Sequence, residues 1–160
     1  MLMSIDQSLS CSGIVIWEDT PKALTIKTSN SLSTVERIRI ITASILELIV
    51  KHSVTEVVIE SLPYGLNSTS VRPLAGLYYA IQSLGYDHGF AFNEANVTAV
   101  KKYATGSGKA KKSDMILAFS ETPLYQAVIE KGYKKTTGLA DIADAFYIGA
   151  LHKSKENSTK

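Results

Sequence analysis

The sequence of 160 residues lacks the features of secreted, membrane-spanning and thiol-dependent proteins. Cys11 is the only cysteine, which excludes an internal disulfide and a thiolate zinc cluster. No apolar run approaches the roughly 20 residues of a transmembrane helix, and no basic segment precedes an apolar one at the N-terminus. We therefore expect a protein of a reducing cytoplasm with no membrane partner. Cys11 is expected to be a packed side chain rather than a nucleophile.

The composition is that of an ordinary globular protein. Hydrophobic residues make up 45% and charged residues 20% of the chain, which is a typical balance. A chain of this length is most simply one domain with a substantial core. We expect that domain to cover residues 1–152 and a polar, disordered tail to follow over residues 153–160.

Positive charge is concentrated in one stretch, although the net charge is only +2. Twelve residues that contain no acid hold five lysines: Lys101, Lys102, Lys109, Lys111 and Lys112. Such a cluster would suit an anionic partner. From charge alone, a solvated surface is the simpler interpretation.

The period of the hydrophobic residues changes along the chain. Segments near 2–6, 12–18 and 22–28 predict an antiparallel meander of three strands. A capping box then begins a helix that reaches about residue 51, and the β-branched run over 55–60 predicts a buried strand. The pattern then predicts a helix over about 70–85 and a strand over 88–93. Three more helices follow, the first over 94–104, the second starting near residue 113, and the last over 139–152. This order predicts an α/β fold, a mixed five-stranded sheet with helices on both faces.

Four acids occupy unusual positions in this pattern. Asp6 and Glu60 each end an apolar strand, and the two strands are predicted neighbours, although Asp6 alone could simply cap a turn. Asp141 and Asp144 share one face of an apolar helix, where the helix dipole offers a structural alternative, mainly for Asp141. Converging carboxylates repel one another unless cations lie between them. An oxygen-only set suits Mg²⁺ or Mn²⁺, which in pairs promote phosphodiester hydrolysis.

These motifs resemble those of the RuvC-type Holliday junction resolvases, a family with the ribonuclease-H-like fold, over about residues 2–152. The opening Ile5-Asp6-Gln7-Ser8, followed by Ser12-Gly13, is similar to the family's first acidic motif. It departs from that motif in having Gln7-Ser8 where bacterial members usually carry Pro-Gly. Val58-Ile59-Glu60 resembles the motif that holds the second acid.

The C-terminal half carries the remaining likeness. Val100-Lys101 and the stretch 106–113 resemble the segment with the family's DNA-contacting lysines, and Lys101 and Lys112 fall on those positions. Asp141-Ile142-Ala143-Asp144-Ala145 is similar to the final acidic helix and is the most specific match. The overall likeness is closer to phage-encoded relatives, which would act in the host cytoplasm.

The resemblance implies an endodeoxyribonuclease that resolves four-way DNA junctions by metal-dependent hydrolysis with symmetric paired cuts. It assigns Asp6, Glu60, Asp141 and Asp144 as catalytic ligands of Mg²⁺, with Mn²⁺ as a substitute and two ions per site. It also implies a homodimer, for which the helix over about 71–84 is the predicted contact surface.

Tyr64, which follows the second acid in a Pro-Gly loop, is a further candidate DNA contact. An aromatic ring there could stack on an unpaired base at the branch point. A packed loop tyrosine is an equally good explanation, and the sequence leaves both open.

Other functions fit less well. A nuclease of the same fold could act on flaps, three-way branches or RNA. A non-catalytic junction-binding protein would gain nothing from four acids facing DNA. An actin-like ATPase would need two such domains. The Gly106-Ser107-Gly108-Lys109 segment fails as a phosphate loop, because Tyr103 and Ala110 occupy positions that require Gly and Ser or Thr.

Overall fold

A mixed sheet forms the centre of the fold. The computed structural model describes residues 1–62 and 71–158, so the predicted DNA contact Tyr64 lies outside the described residues. The sheet has five strands in the order β3-β2-β1-β4-β5. The strands are β1 (Leu2–Asp6), β2 (Cys11–Trp17), β3 (Lys22–Lys27), β4 (Glu56–Glu60) and β5 (Ala91–Ala95).

The strand pairing confirms the predicted topology. Strand β1 pairs antiparallel with β2, and β2 pairs antiparallel with β3, which is the expected meander. Strand β1 is parallel to β4, and β4 is parallel to β5. The carboxyl ends of β1 and β4 therefore meet at the same edge of the sheet.

Helices cover both faces of this sheet, as the sequence predicts. They are α1 (Thr34–Lys51), α2 (Val71–His88), α3 (Val97–Thr105), α4 (Lys112–Ser120), α5 (Pro123–Glu130) and α6 (Leu139–Asn157). Helix α1 begins at the predicted capping box, where the Ser33 N–H donates to Glu36 Oε2 at 2.8 Å. Within the described residues, none of these helices combines the length and the apolar character needed to cross a membrane.

Alternation along β1 divides the core into two halves. Met3 and Ile5 point to the face that α1 and α2 cover, where they join Ile41, Ile45 and Leu77. The opposite face of the sheet packs against α3 to α6. Because strand side chains alternate between the two faces, the even-numbered residues of β1 face α6.

The predicted polar tail is helical over most of its length. Helix α6 continues to Asn157, five residues past the predicted end at His152. Lys153 lies over the Trp17 ring, with its Nζ 4.9 Å from the ring centroid, and this cation–π contact holds the extension against the sheet. Lysine and glutamate are also good helix formers, which is consistent with this helical extension.

Two further boundaries and one additional helix differ from the prediction. Helix α2 passes Gly85 and ends at His88, followed by Gly89 with φ +74°. Gly85 instead leaves room for Phe90, whose carbonyl oxygen would lie 3.2 Å from an added Cβ. Strand β5 therefore begins three residues late, at Ala91. Helix α5 was not predicted as a separate element; Pro123 occupies its first turn.

Two glycines let α6 lie directly on the sheet. A Cβ on Gly13 of β2 would be 2.0 Å from the backbone oxygen of Asp141. A Cβ on Gly149 of α6 would be 2.2 Å from Trp17 Nε1 and 2.7 Å from Ser4 Oγ. Real Cβ atoms do not approach backbone or buried side chains this closely, so glycine is required at both contacts.

We predict that Gly149→Ala destabilises the protein. At an unstrained position in a helix, Gly→Ala usually stabilises by about 0.4–1 kcal/mol. Here the added methyl group would force α6 away from Trp17 and Ser4, and overpacking of this kind costs about 1–3 kcal/mol. Urea unfolding should therefore show a lower free energy of unfolding. A stabilised Gly149→Ala protein would contradict the close packing of α6 on the sheet.

Candidate active site

Two of the four predicted acids lie at adjacent strand ends. Ile5 of β1 is paired in register with Ile59 of β4, so the following residues, Asp6 and Glu60, lie side by side. Both residues share the face of Ser4 and Val58, which α6 covers. Both side chains are half-buried.

The other two acids reach the same place from α6. Asp141 lies in its first turn and Asp144 one turn later. Gly13, the partner of Asp6 in the antiparallel register, lies directly beneath the Asp141 backbone. The missing Cβ of Gly13 thus determines how closely the first turn of α6 approaches the end of β1.

One cavity of about 320 Å³ collects all four carboxylates. The structure therefore brings together the acids that the sequence singled out as candidates. The cavity is lined by Asp6, Gln7, Ser8, Glu60, Val97, Val100, Lys101, Lys112, Met115, Asp141, Asp144 and Ile148.

The crowded carboxylates alter the acidity of two members. Burial raises the pKa of Asp6 well above its usual range, and the nearby charges of Asp144, Glu60 and Asp141 raise it further. Burial, followed by the charge of Glu60, raises the pKa of Asp144 from 3.8 to about 6. Both shifts mean that the ionised forms are disfavoured in the protein alone, as expected where carboxylates converge.

Two of the five predicted lysines reach this cavity. Lys112 Nζ lies 3.8 Å from Asp141 Oδ1, and the charges of Lys112 and Lys101 oppose the rise in the pKa of Asp144. Both lysines line the cavity, with Lys101 on α3 and Lys112 at the start of α4. The other three, Lys102, Lys109 and Lys111, are exposed and do not line it.

Gln7 is a cavity residue that the sequence analysis noted only as a departure from a motif. Its side chain is 7% exposed, and its Nε2 donates to the Glu60 carbonyl oxygen at 3.3 Å. Its Oε1 is buried and has no hydrogen-bond donor among residues 1–62 and 71–158. A buried acceptor without a donor is costly, so this atom is suited to a hydration water held beside the acids. The role of Gln7 could not be predicted from the sequence, because it depends on the burial of the side chain in the folded protein.

The donor set fits a divalent cation. The candidate ligands are four carboxylates from three elements, and an additional amide oxygen lies beside them. Hard oxygen donors are the ligands that Mg²⁺ and Mn²⁺ prefer. A bound cation would also offset the repulsion that raises the pKa values of Asp6 and Asp144.

Cys11 borders the site without the chemistry of a nucleophile. Burial, together with a hydrogen bond to Asp141, raises the pKa of its thiol to about 11. The thiol therefore stays protonated at neutral pH and is a poor nucleophile.

A second group of ionisable residues lies at the opposite end of β4. His152 Nε2 lies 2.7 Å from Glu56 Oε1 and 3.8 Å from Glu156 Oε1. Asn93 Nδ2 also donates to Glu56 Oε1, at 2.8 Å. Glu56, His152 and Glu156 could hold a metal ion. Their hydrogen bonds and ion pairs are equally well explained as a structural link between α6 and the sheet. Glu56 and Glu60 are four residues apart, so this group is separate from the cavity.

Comparison with protein families gives a match over nearly the whole chain. The model described as crossover junction endodeoxyribonuclease RuvC matches residues 2–152. Direct comparison with curated protein sequences gives no significant match.

Solved structures show the same fold. RuvC of Thermus thermophilus has a TM-score of 0.67 at 20% identity, over 97% of this chain and 96% of that one. The Thermus thermophilus RuvC complex with Holliday junction substrate gives 0.72 at 17% identity, over 98% and 94% of the two chains. The Fowlpox virus resolvase, solved with Holliday junction DNA, gives 0.61 at 18% identity, over 97% and 99%. The expected ribonuclease-H-like architecture is thereby confirmed.

We predict that Asp144→Asn stabilises the metal-free protein at neutral pH. Because the folded-state pKa is raised, protonation favours the folded state, and that advantage is lost as pH rises from about 4 to about 6. The asparagine variant should therefore gain up to about 3 kcal/mol above pH 6 and little below pH 4. Urea unfolding in EDTA across this range measures the gain.

The control for this prediction is Asp87→Asn, which changes an exposed acid of α2. Its effect should stay within about 0.5 kcal/mol at every pH. A loss of stability in Asp144→Asn at pH 7.5 would show that the carboxylates do not repel one another as described.

Proposed function

Because the chain belongs to the RuvC family of crossover junction endodeoxyribonucleases, we propose that it resolves four-way DNA junctions by hydrolysing phosphodiester bonds with divalent cations. The observation that carries the proposal is the convergence of four carboxylates in one cavity, with two lysines on its wall. Acids alone would repel DNA, whereas acids that hold cations beside basic groups suit a phosphate.

In this proposal Asp6, Glu60, Asp141 and Asp144 hold two Mg²⁺ ions, which Mn²⁺ could replace. When bound, such ions supply the acidity that activates a water and the positive charge that stabilises the leaving 3′ oxygen. Gln7 Oε1 accepts a hydrogen bond from a water of the site. The half-buried position of Asp6 and Glu60 limits the water around the charges, which strengthens their interaction with cations.

The lysines bind the DNA backbone in this proposal. Lys101 and Lys112, on the cavity wall, would contact the phosphates at the cut. Lys102, Lys109 and Lys111 are exposed around the turn between α3 and α4 and would contact phosphates farther away. Contacts of this kind position a duplex arm without reading its sequence.

We predict that Asp6→Asn, Glu60→Gln, Asp141→Asn and Asp144→Asn each lower junction cleavage by at least about a hundredfold. Each change removes one anionic ligand, whereas phosphate binding by the lysines is kept. Single-turnover cleavage of a labelled junction with Mg²⁺, alongside a binding assay without it, separates the two effects. Flap, three-way, duplex and RNA–DNA hybrid substrates in the same assay define the preferred substrate.

The matched control is Glu56→Gln, which alters an acid of the same strand at the opposite end from Glu60. It should keep cleavage near the wild-type level once folding has been checked. Near-normal cleavage by any of the four cavity variants would remove that residue from the ligand set. A wild-type protein that prefers flaps or hybrids would assign the same chemistry to a different nucleic acid.

We further propose that the protein acts as a homodimer. Resolving a junction requires two symmetric cuts, and a twofold dimer supplies two sites in matching positions. Helix α2 supports this proposal, because Leu77, Tyr78 and Ile81 are buried in the core while Tyr79 is 62% exposed on another side. Gly76, one turn before Ala80, is also exposed, and its missing Cβ leaves room for Ile38 of α1.

We predict a sedimentation mass near twice 17.4 kDa at micromolar concentration. Ala80→Glu should shift the mass towards the monomer and uncouple the two cuts, because it would bury a charge in the interface. Ala127→Glu on α5, across the sheet from α2, is the matched control and should stay dimeric. Paired cuts by a protein that remains monomeric on junction DNA would contradict the dimer.

A further inference from the structure

A second cavity adjoins the acid-lined one. It has a volume of about 370 Å³ and shares Lys112 and Asp141 with its neighbour. Its other lining residues are Cys11, Lys27, Lys135, Thr136, Thr137, Gly138 and Ala140. Lys27 and Lys135 are far apart in sequence and outside the lysine-rich stretch, so charge patterning gave no reason to group them.

Three lysines converge on this cavity from three separate parts of the fold. Lys27 ends β3, Lys112 begins α4, and Lys135 lies in the segment before α6. Among the described residues, the lining contains three lysines and one acid, Asp141. The cavity therefore carries an excess positive charge immediately beside the acidic site.

Specific hydrogen bonds hold the walls of the cavity in place. Lys27 Nζ donates to the Thr137 carbonyl oxygen at 3.2 Å and ties β3 to the segment before α6. Within that segment, the Lys134 N–H donates to Thr137 Oγ1 at 2.7 Å. Tyr133 Oη accepts from the Thr25 N–H at 3.2 Å, a second link to β3. The segment before α6, which carries Lys135, is thus held against β3, which carries Lys27.

We propose that this second cavity binds a backbone phosphate of the cleaved strand, next to the phosphate that is cut. The inference rests on the proposed nuclease function. Successive phosphates recur about every 3.4 Å along the axis of each strand. A strand whose scissile phosphate lies at the acids must therefore carry its neighbours over an adjoining surface. Lys112 belongs to both cavities and would bridge the two phosphates.

The charge distribution favours this side of the acid site. An isolated carboxylate cluster would repel the flanking phosphates, whereas a wall with three lysines attracts them. Lysine binds phosphate as a point charge without strict geometry. The cavity should therefore fix the path of the strand without selecting its sequence.

The first test is the salt dependence of junction binding, measured without divalent cations. Lys27→Ala and Lys135→Ala should each weaken binding roughly twofold to tenfold and reduce the slope of log K against log salt by about one. Lys112→Ala should do the same, and Lys27→Arg should keep the wild-type slope because it keeps the charge. Lys131→Ala is the matched control, since Lys131 is an exposed lysine that does not line either cavity.

The second test uses junctions that carry one uncharged methylphosphonate linkage, moved step by step along the cleaved strand. The wild-type protein should lose affinity when the linkage beside the cut is neutral. The Lys27→Ala and Lys135→Ala variants should lose less affinity at that position than the wild-type protein, because one of the charges facing the phosphate is already absent. Thermal denaturation of each variant confirms that it is folded.

Two outcomes would overturn the inference. In the first, both variants have the affinity and salt slope of Lys131→Ala, and the methylphosphonate effect is as large as in the wild-type protein at every position. The other is saturable binding of inorganic phosphate that depends on Lys27 while DNA binding does not, which would assign the cavity to a free anion. Failure of the nuclease function is distinguishable, because the wild-type protein would then not cut an unmodified junction with Mg²⁺.

Discussion

The close contact between α6 and the centre of the sheet is the constraint on which the site depends. Asp6 and Glu60 come from parallel strands and are adjacent by strand pairing alone. The acids of α6 join them only because Gly13 and Gly149 leave no Cβ between helix and sheet. A larger residue at either point would lift the helix, and the carboxylates would no longer share one cavity.

That contact brings like charges together at a cost in stability. Burial and mutual repulsion raise the pKa values of Asp6 and Asp144, so the fold opposes their ionisation. The cost is concentrated where a cation could offset it. Gln7 Oε1, which has no donor in the part of the chain that the structure describes, lies at the same place. Local conflict of this kind is typical of functional sites, which hold groups that folding alone would separate.

Positive charge surrounds the acids in an arrangement that sequence order conceals. Lys101 and Lys112 come from the lysine-rich stretch, but Lys27 and Lys135 come from β3 and from the segment before α6. The cavity that contains the last two lies next to the acids. A phosphate strand that leaves the carboxylates through this second cavity would thus meet further lysines, which favours that path.

The sequence alone determined the strand order, the helices on both faces and the choice of the four acids, because these follow from hydrophobic periodicity and from acids at element ends. It placed some local boundaries differently. Helix α2 passes Gly85, where the missing Cβ leaves room for Phe90, and α6 passes His152 and ends at Asn157. Only the tertiary structure decided that Gln7 Oε1 is buried with no donor from the described residues, and that Lys27 and Lys135 share a cavity. Those properties depend on distances between residues far apart in the chain, which no local pattern encodes.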